Sequence, residues 1–78
     1  MHEIGVAREV LGTALGKADG RKIVRIQVEL GDDGHTTPES LKHAFEMAAK
    51  GTLAETAMLE VTRCSGLESR VVELEVEK

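Results

Sequence analysis

The chain opens with Met1-His2-Glu3, a set of nitrogens that can close around one metal ion. The α-amine of Met1 and the backbone amide nitrogen of His2 close a five-membered chelate ring. That amide and the nearer imidazole nitrogen of His2 close a six-membered one. Both rings are low in strain and can share a plane. Ni(II) and Cu(II) favour such tetragonal nitrogen sites and can displace amide protons, with Cu(II) the tighter of the two. Zn(II) prefers tetrahedral surroundings. The amide or the side chain of Glu3 offers a fourth position. On its own the tripeptide is a weak signal, because many chains carry a second-place histidine by chance.

Two further groups bear on metal chemistry. Asp32, Asp33 and His35 share one loop, where carboxylate oxygens and an imidazole could face a metal held at the chain start. The plainer reading of that loop is a solvated turn, with Asp and Gly in their usual turn roles. His43 falls off the Leu41/Phe45 stripe, beside Lys42 and Glu46, and is expected on the exposed side of a helix. Cys64 has no second cysteine at CxxC spacing and is read as a loop thiol, so no zinc is expected. The chain has no Walker-type phosphate loop and no dinucleotide fingerprint. Ser40, Ser65 and Ser69 have no evident His/Asp constellation. The expectation is therefore not an enzyme.

Composition narrows the classes. Ten Lys and Arg stand against fourteen Asp and Glu, for a net charge of −4 over 78 residues. There is no basic run, and Phe45 is the only aromatic, so nucleic-acid binding is disfavoured. One cysteine forbids an internal disulfide and fits a reducing compartment. Glu3, Arg8 and Glu9 interrupt the apolar start, so neither a signal peptide nor a membrane span is expected. The expected location is the cytoplasm. The length suits one domain over 1–78.

The elements that must position these groups follow from periodicity. From Ile4 to about Ala18, apolar residues recur at helical spacing (Ile4, Ala7, Leu11, Ala14, Leu15, Ala18), with Val6 and Val10 widening the stripe. Gly5, Gly12 and Gly16 weaken this helix, and Asp19-Gly20 is its stop. Ile23 to Leu30 alternates, which predicts a strand with Val24, Ile26, Val28 and Leu30 inward. Gly31-Asp32-Asp33-Gly34 breaks it. Pro38 starts a second helix, with Thr36 and Glu39 at capping-box spacing and Leu41, Ala44, Phe45 and Ala48 as the buried stripe. Lys50-Gly51 ends it. Thr56 to Arg63 predicts a strand with Ala57, Leu59 and Val61 inward. Ser69 to Lys78 predicts another, with Val72, Leu74 and Val76 inward and Glu73, Glu75 and Glu77 outward. The short connection Cys64 to Glu68 suits a hairpin between these last two strands. The expected fold is α+β: two helices on one face of a three-stranded mixed sheet, in the order helix-strand-helix-strand-strand.

Taken together, these pieces resemble the HypA/HybF family of hydrogenase nickel-incorporation proteins. The likeness begins with Met1-His2-Glu3 leading into an amphipathic helix. It continues through Val24 to Gly31 as the first strand, then Pro38-Glu39-Ser40-Leu41 and Ala44-Phe45-Glu46 as the second helix. Lys50 to Glu55, Ala57 to Val61 and Leu74 to Glu77 complete it, in family order over nearly the whole chain. The resemblance implies a metallochaperone holding Ni(II) through the Met1 amine, the His2 imidazole and the neighbouring backbone amides, up to that of Glu3. It implies delivery, with a nickel-handling GTPase, to a hydrogenase precursor or to a urease pathway, by a monomer or weak homodimer. Family members insert a zinc domain with two CxxC pairs between the last two strands, where this chain has only the short loop 64–69. A natural relative without zinc and an engineered excision fit that loop equally well. The family's Gly-Glu-Leu after the first strand reads Gly31-Asp32-Asp33 here. The competing reading is a metal-free interaction module on the same fold, pairing through an edge strand or its acidic Glu73/Glu75/Glu77 face.

Overall fold

A computed structural model describes every residue except Met1, Asp33, His35 and Leu67; for His2 and Glu3 it describes the backbone alone. The elements run α1 (His2–Ala18), β1 (Ile23–Leu30), α2 (Pro38–Ala49), β2 (Met58–Arg63) and β3 (Arg70–Val76). The three strands form one mixed sheet in the order β2-β1-β3. Both helices lie on one face of it, in the expected α+β arrangement.

β1 is the central strand because it is the most apolar. Ile23, Ile26, Val28 and Leu30 are all essentially inaccessible. It pairs parallel with β2 and antiparallel with β3. The expected hairpin between β2 and β3 does not form, since β1 lies between them. With β3 on its far side, the most apolar strand has both backbone edges hydrogen-bonded instead of one. The 64–69 connection must then cross the C-terminal end of β1, and three hydrogen bonds hold it there. Cys64 N–H donates to the Leu30 carbonyl at 3.0 Å, Asp32 N–H to the Gly66 carbonyl at 2.8 Å, and Gly31 N–H to the Ser69 hydroxyl oxygen at 2.9 Å.

Two register shifts change which valines face inward. Between Ile23↔Val76 and Arg25↔Glu75, β1 advances two residues while β3 advances one. Val24 is the extra residue, so Ile23 is buried and Val24 is exposed, reversing its expected side. Between Gln27↔Glu73 and Val28↔Val71 the extra residue is Val72 on β3. Val71 therefore packs against the core and Val72 is exposed. An irregular residue of this kind breaks the strict alternation on which the strand reading rests.

The helices bury small faces. Ala7, Val10, Ala14 and Ala18 of α1 are buried, and Ile4, expected in the stripe, is exposed. Small residues let α1 approach α2 and the sheet closely. α1 ends at Ala18, where Asp19 and Gly20 take left-handed conformations (φ 54° and 82°) and Arg21 N–H returns to the Ala18 carbonyl. α2 buries Leu41, Ala44, Phe45 and Ala49. Ala49 rather than Ala48 completes the stripe, because residues 41, 45 and 49 lie four apart and stack on one face. The capping box also sits one residue later than expected. Thr37 is the N-cap; its hydroxyl accepts from Ser40 N–H at 3.0 Å, and the Ser40 hydroxyl accepts from Thr37 N–H at 2.9 Å. Thr36 is buried instead, at 4 % exposure.

The opposite face of the sheet is open and charged. Arg25 lies between Glu60 (3.6 Å) and Glu75 (3.4 Å), and Arg70 reaches Glu29 at 3.0 Å. Exposed pairs of this kind each add at most about 1 kcal/mol.

Candidate metal centre at one end of the domain

Chain direction decides where the first turn of α1 lies. α1 is about 25 Å long at the usual helical rise, and β1 is about as long at the usual strand rise. A tight turn over residues 19–22 joins them, so the two run antiparallel. The first turn of α1 is therefore level with the end of β1, and Val6 to Thr13 line a groove with Glu68 to Val71 at the start of β3. The loop after Leu30, the 64–69 crossover and the first turn of α2 all belong to this same end.

The helical start itself suits amide ligation. α1 begins at His2, so the His2 and Glu3 amides fall in its first turn. The first N–H groups of a helix have no carbonyl four residues back to bond. A metal that displaces these protons breaks no helical hydrogen bond. The donor set of amine, amides and imidazole is all nitrogen, which fits a tetragonal Ni(II) cargo.

Of the other expected ligands, Asp33 and His35, like Met1, lie outside the described residues, as do the His2 and Glu3 side chains. Asp32 is exposed, and its carboxylate accepts a hydrogen bond from Gly34 N–H at 3.2 Å, the side-chain-to-backbone contact of a turn. Its N–H is held by the Gly66 carbonyl. Asp32 thus sits at the correct end of the domain in the plainer of the two roles weighed for it. His43 is exposed on α2, as expected. Cys64 is half-buried and unbridged. Among the described residues, no three His, Cys, Asp or Glu side chains are gathered as a metal site.

Sequence reasoning missed Ser69. It read as the end of a short loop and the first residue of a strand, with no partner assigned, yet its hydroxyl holds Gly31 across the crossover. Nothing in the sequence pairs two positions so far apart. It also missed the groove beside α1, because Val6 and Val10 read only as widening a helical stripe and Glu9 as a charge interrupting the apolar start.

Comparison with known proteins supplies the family. The family model described as "Hydrogenase/urease nickel incorporation, metallochaperone, hypA" matches residues 1–69. The Hydrogenase maturation factor HypA of Geobacter sulfurreducens is 35 % identical over 66 residues, covering 85 % of this chain and 60 % of that protein. The factor of the same name from Nostoc sp. is 33 % identical over 67 residues, covering 86 % of this chain and 59 % of its own length. The chain thus spans about 60 % of the length of the curated relatives it matches. In fold it resembles the solution structure of the Ni metallochaperone HypA from Helicobacter pylori, with a TM-score of 0.81 over 97 % of both chains at 20 % identity. A second solution structure of a HypA protein aligns with a TM-score of 0.75 over 99 % of this chain and 97 % of the other, at 19 % identity. The chain belongs to the HypA family of hydrogenase/urease nickel-incorporation metallochaperones.

Proposed function

We propose that this chain binds one Ni(II) ion as cargo and delivers it during maturation of a [NiFe]-hydrogenase, or of urease. The ligands in this reading are the Met1 amine, the His2 imidazole and the backbone amides of His2 and Glu3. The observation that carries it is the coincidence of family membership with a Met1-His2-Glu3 start that leads directly into α1. Asp32, Asp33 and His35 are secondary candidates that could approach the metal from the neighbouring loop.

The recipient would be a hydrogenase precursor, with a nickel-handling GTPase as the partner in transfer. The chain would work in the cytoplasm as a monomer or weak homodimer. No helix of the described residues is long and apolar enough to cross a membrane. We also propose that 1–78 works as one nickel-binding domain without structural zinc. Cys64 is its sole cysteine, and the 64–69 crossover is a short strap over β1.

The reading requires a free amine on Met1, which N-terminal sequencing checks. Nickel titration of the untagged chain, followed by absorbance and circular dichroism, tests the rest. One equivalent should bind with the spectrum of a planar nitrogen complex. His2→Ala and an N-terminal Gly-Ser extension should each remove that spectrum. Unchanged titrations in both variants overturn the site, and the metal-free interaction module would then be the better account.

A further inference from the structure

The groove between α1 and the start of β3 is lined by none of the residues proposed as metal ligands. It encloses roughly 300 Å³. Its lining is mixed: Val6 and Val71 are half-buried apolar contributors, and Thr13 and Ser69 are uncharged polar ones. Its rim is acidic. Glu9 on α1 and Glu68 before β3 are both exposed, and neither has an ion-pair partner among the described residues. The one cation lining it, Arg70, is already held by Glu29 at 3.0 Å. Acid is therefore in excess at the rim of a groove in which Val6 and Val71 are the accessible apolar contacts.

We propose that this groove docks a segment of a protein partner in which an apolar side chain is flanked by cations. Charge complementarity selects the flanks: a lysine or arginine on each side meets Glu9 and Glu68, while an acidic segment meets like charge without relief from Arg70. The apolar residue between them covers Val6 and Val71. The groove begins one turn into α1, beside the chain start that would carry nickel. A segment seated there brings its own chain within reach of that metal, as transfer between two proteins requires. The identity of the occupant as a giver or receiver of nickel rests on the proposed function; the binding preference rests on the groove alone.

The test uses capped pentapeptides, which lack a free amine and cannot imitate the chelate. Acetyl-Lys-Leu-Lys-Leu-Lys-amide is titrated into the ¹⁵N-labelled full chain and followed by amide chemical shifts. Acetyl-Glu-Leu-Glu-Leu-Glu-amide and acetyl-Lys-Ser-Lys-Ser-Lys-amide are the controls. Shifts should concentrate at Val6 to Thr13 and Glu68 to Val71 for the first peptide and be at least about tenfold weaker in apparent affinity for the others. Glu9→Lys with Glu68→Lys should weaken binding by about tenfold or more. Glu73→Lys with Glu77→Lys, which places the same charges on the open sheet, should change it by no more than about twofold. Shifts centred on the open sheet, equal binding of all three peptides, or indifference to the Glu9/Glu68 reversal each overturn the proposal. The nickel reading is scored separately. His2→Ala should leave peptide shifts intact, and the Glu9/Glu68 reversal should leave the nickel spectrum intact. Loss of nickel binding alone removes the metal role, and loss of peptide binding alone removes the groove.

Discussion

The Ser69 hydroxyl accepts a hydrogen bond from the Gly31 backbone N–H at 2.9 Å, joining the entry of β3 to the exit of β1 across 38 positions. This contact makes the crossover part of the sheet rather than a loose loop. Ser69 is half-buried, so losing its oxygen leaves a partly desolvated N–H without its partner. Ser69→Ala should lower stability by about 1 kcal/mol. Denaturant unfolding measures the loss, and hydrogen exchange at Gly31 locates it. Faster exchange confined to Gly31, Asp32 and Cys64 is the expected pattern; an unchanged midpoint and unchanged exchange would show that the bond contributes nothing.

α1 carries three glycines, and a β-carbon at any of them would meet nothing within 4 Å; Gly12 and Gly16 lie in the body of the helix, on its exposed side. Gly12→Ala and Gly16→Ala should each raise stability by about 0.5–1 kcal/mol through the higher helix propensity of alanine. Gly51→Ala should act in the opposite direction. Its φ of +79° follows the end of α2, and an L side chain there costs about 1 kcal/mol or more. Thermal melts of the three variants check both signs at once.

The core rests on one aromatic side chain. Phe45 is 2 % exposed and is the largest fully buried residue. Phe45→Ala should cost about 3–5 kcal/mol, the usual range for emptying such a site. A domain this small has a stability of only about 5 kcal/mol to spend, so the variant should be largely unfolded at 37 °C by circular dichroism. Phe45→Leu keeps most of the volume and should remain folded with a lower melting temperature.

The start of α2 offers a sharper check, because sequence and structure assign its cap differently. Thr37 and Ser40 exchange the reciprocal bonds. Thr37→Ala should cost about 1 kcal/mol. Glu39→Gln should leave the cap intact, since Glu39 is not the reciprocating residue; the loss should stay within about 0.5 kcal/mol, the scale of a first-turn acid on the helix dipole. Equal losses in the two variants would contradict the Thr37–Ser40 box.

Much of this fold was legible because its elements obey single periods. β1 is apolar enough to be recognised, and Pro38 and Gly51 punctuate α2 by chemistry that local sequence carries. The errors fall where a period breaks or where a partner strand decides. Val24 and Val72 turned outward because each is an extra residue in a pairing, and bulges depend on the neighbouring strand. The hairpin failed for the same reason. A short connection between Cys64 and Ser69 is compatible with adjacent strands or with a hop over one end of a third, and only the burial of β1 chooses. At the candidate metal end, the sequence offers Met1-His2-Glu3 as a proposed chelate. The Asp32 loop was legible as a group that could face the chain start, but the crossover at that end was not, because its place follows from the strand order.

The nickel site proposed at the chain start predicts a distinct pH signature. The amine, the amides and the imidazole must all lose protons before they can bind the ion, so protons compete with metal at every ligand. Affinity should fall steeply as pH drops from 8 to 6, by roughly a hundredfold or more for several competing protons. Calorimetric titration in buffers of different ionisation enthalpy should show protons released with each nickel bound. A site built on oxygen ligands alone would behave differently. Carboxylates are already ionised across that interval, so their affinity would hardly change and few protons would be released. A flat pH profile therefore assigns the metal to oxygen ligands and removes it from His2, whereas a steep one that vanishes in His2→Ala places it at the N-terminal nitrogens.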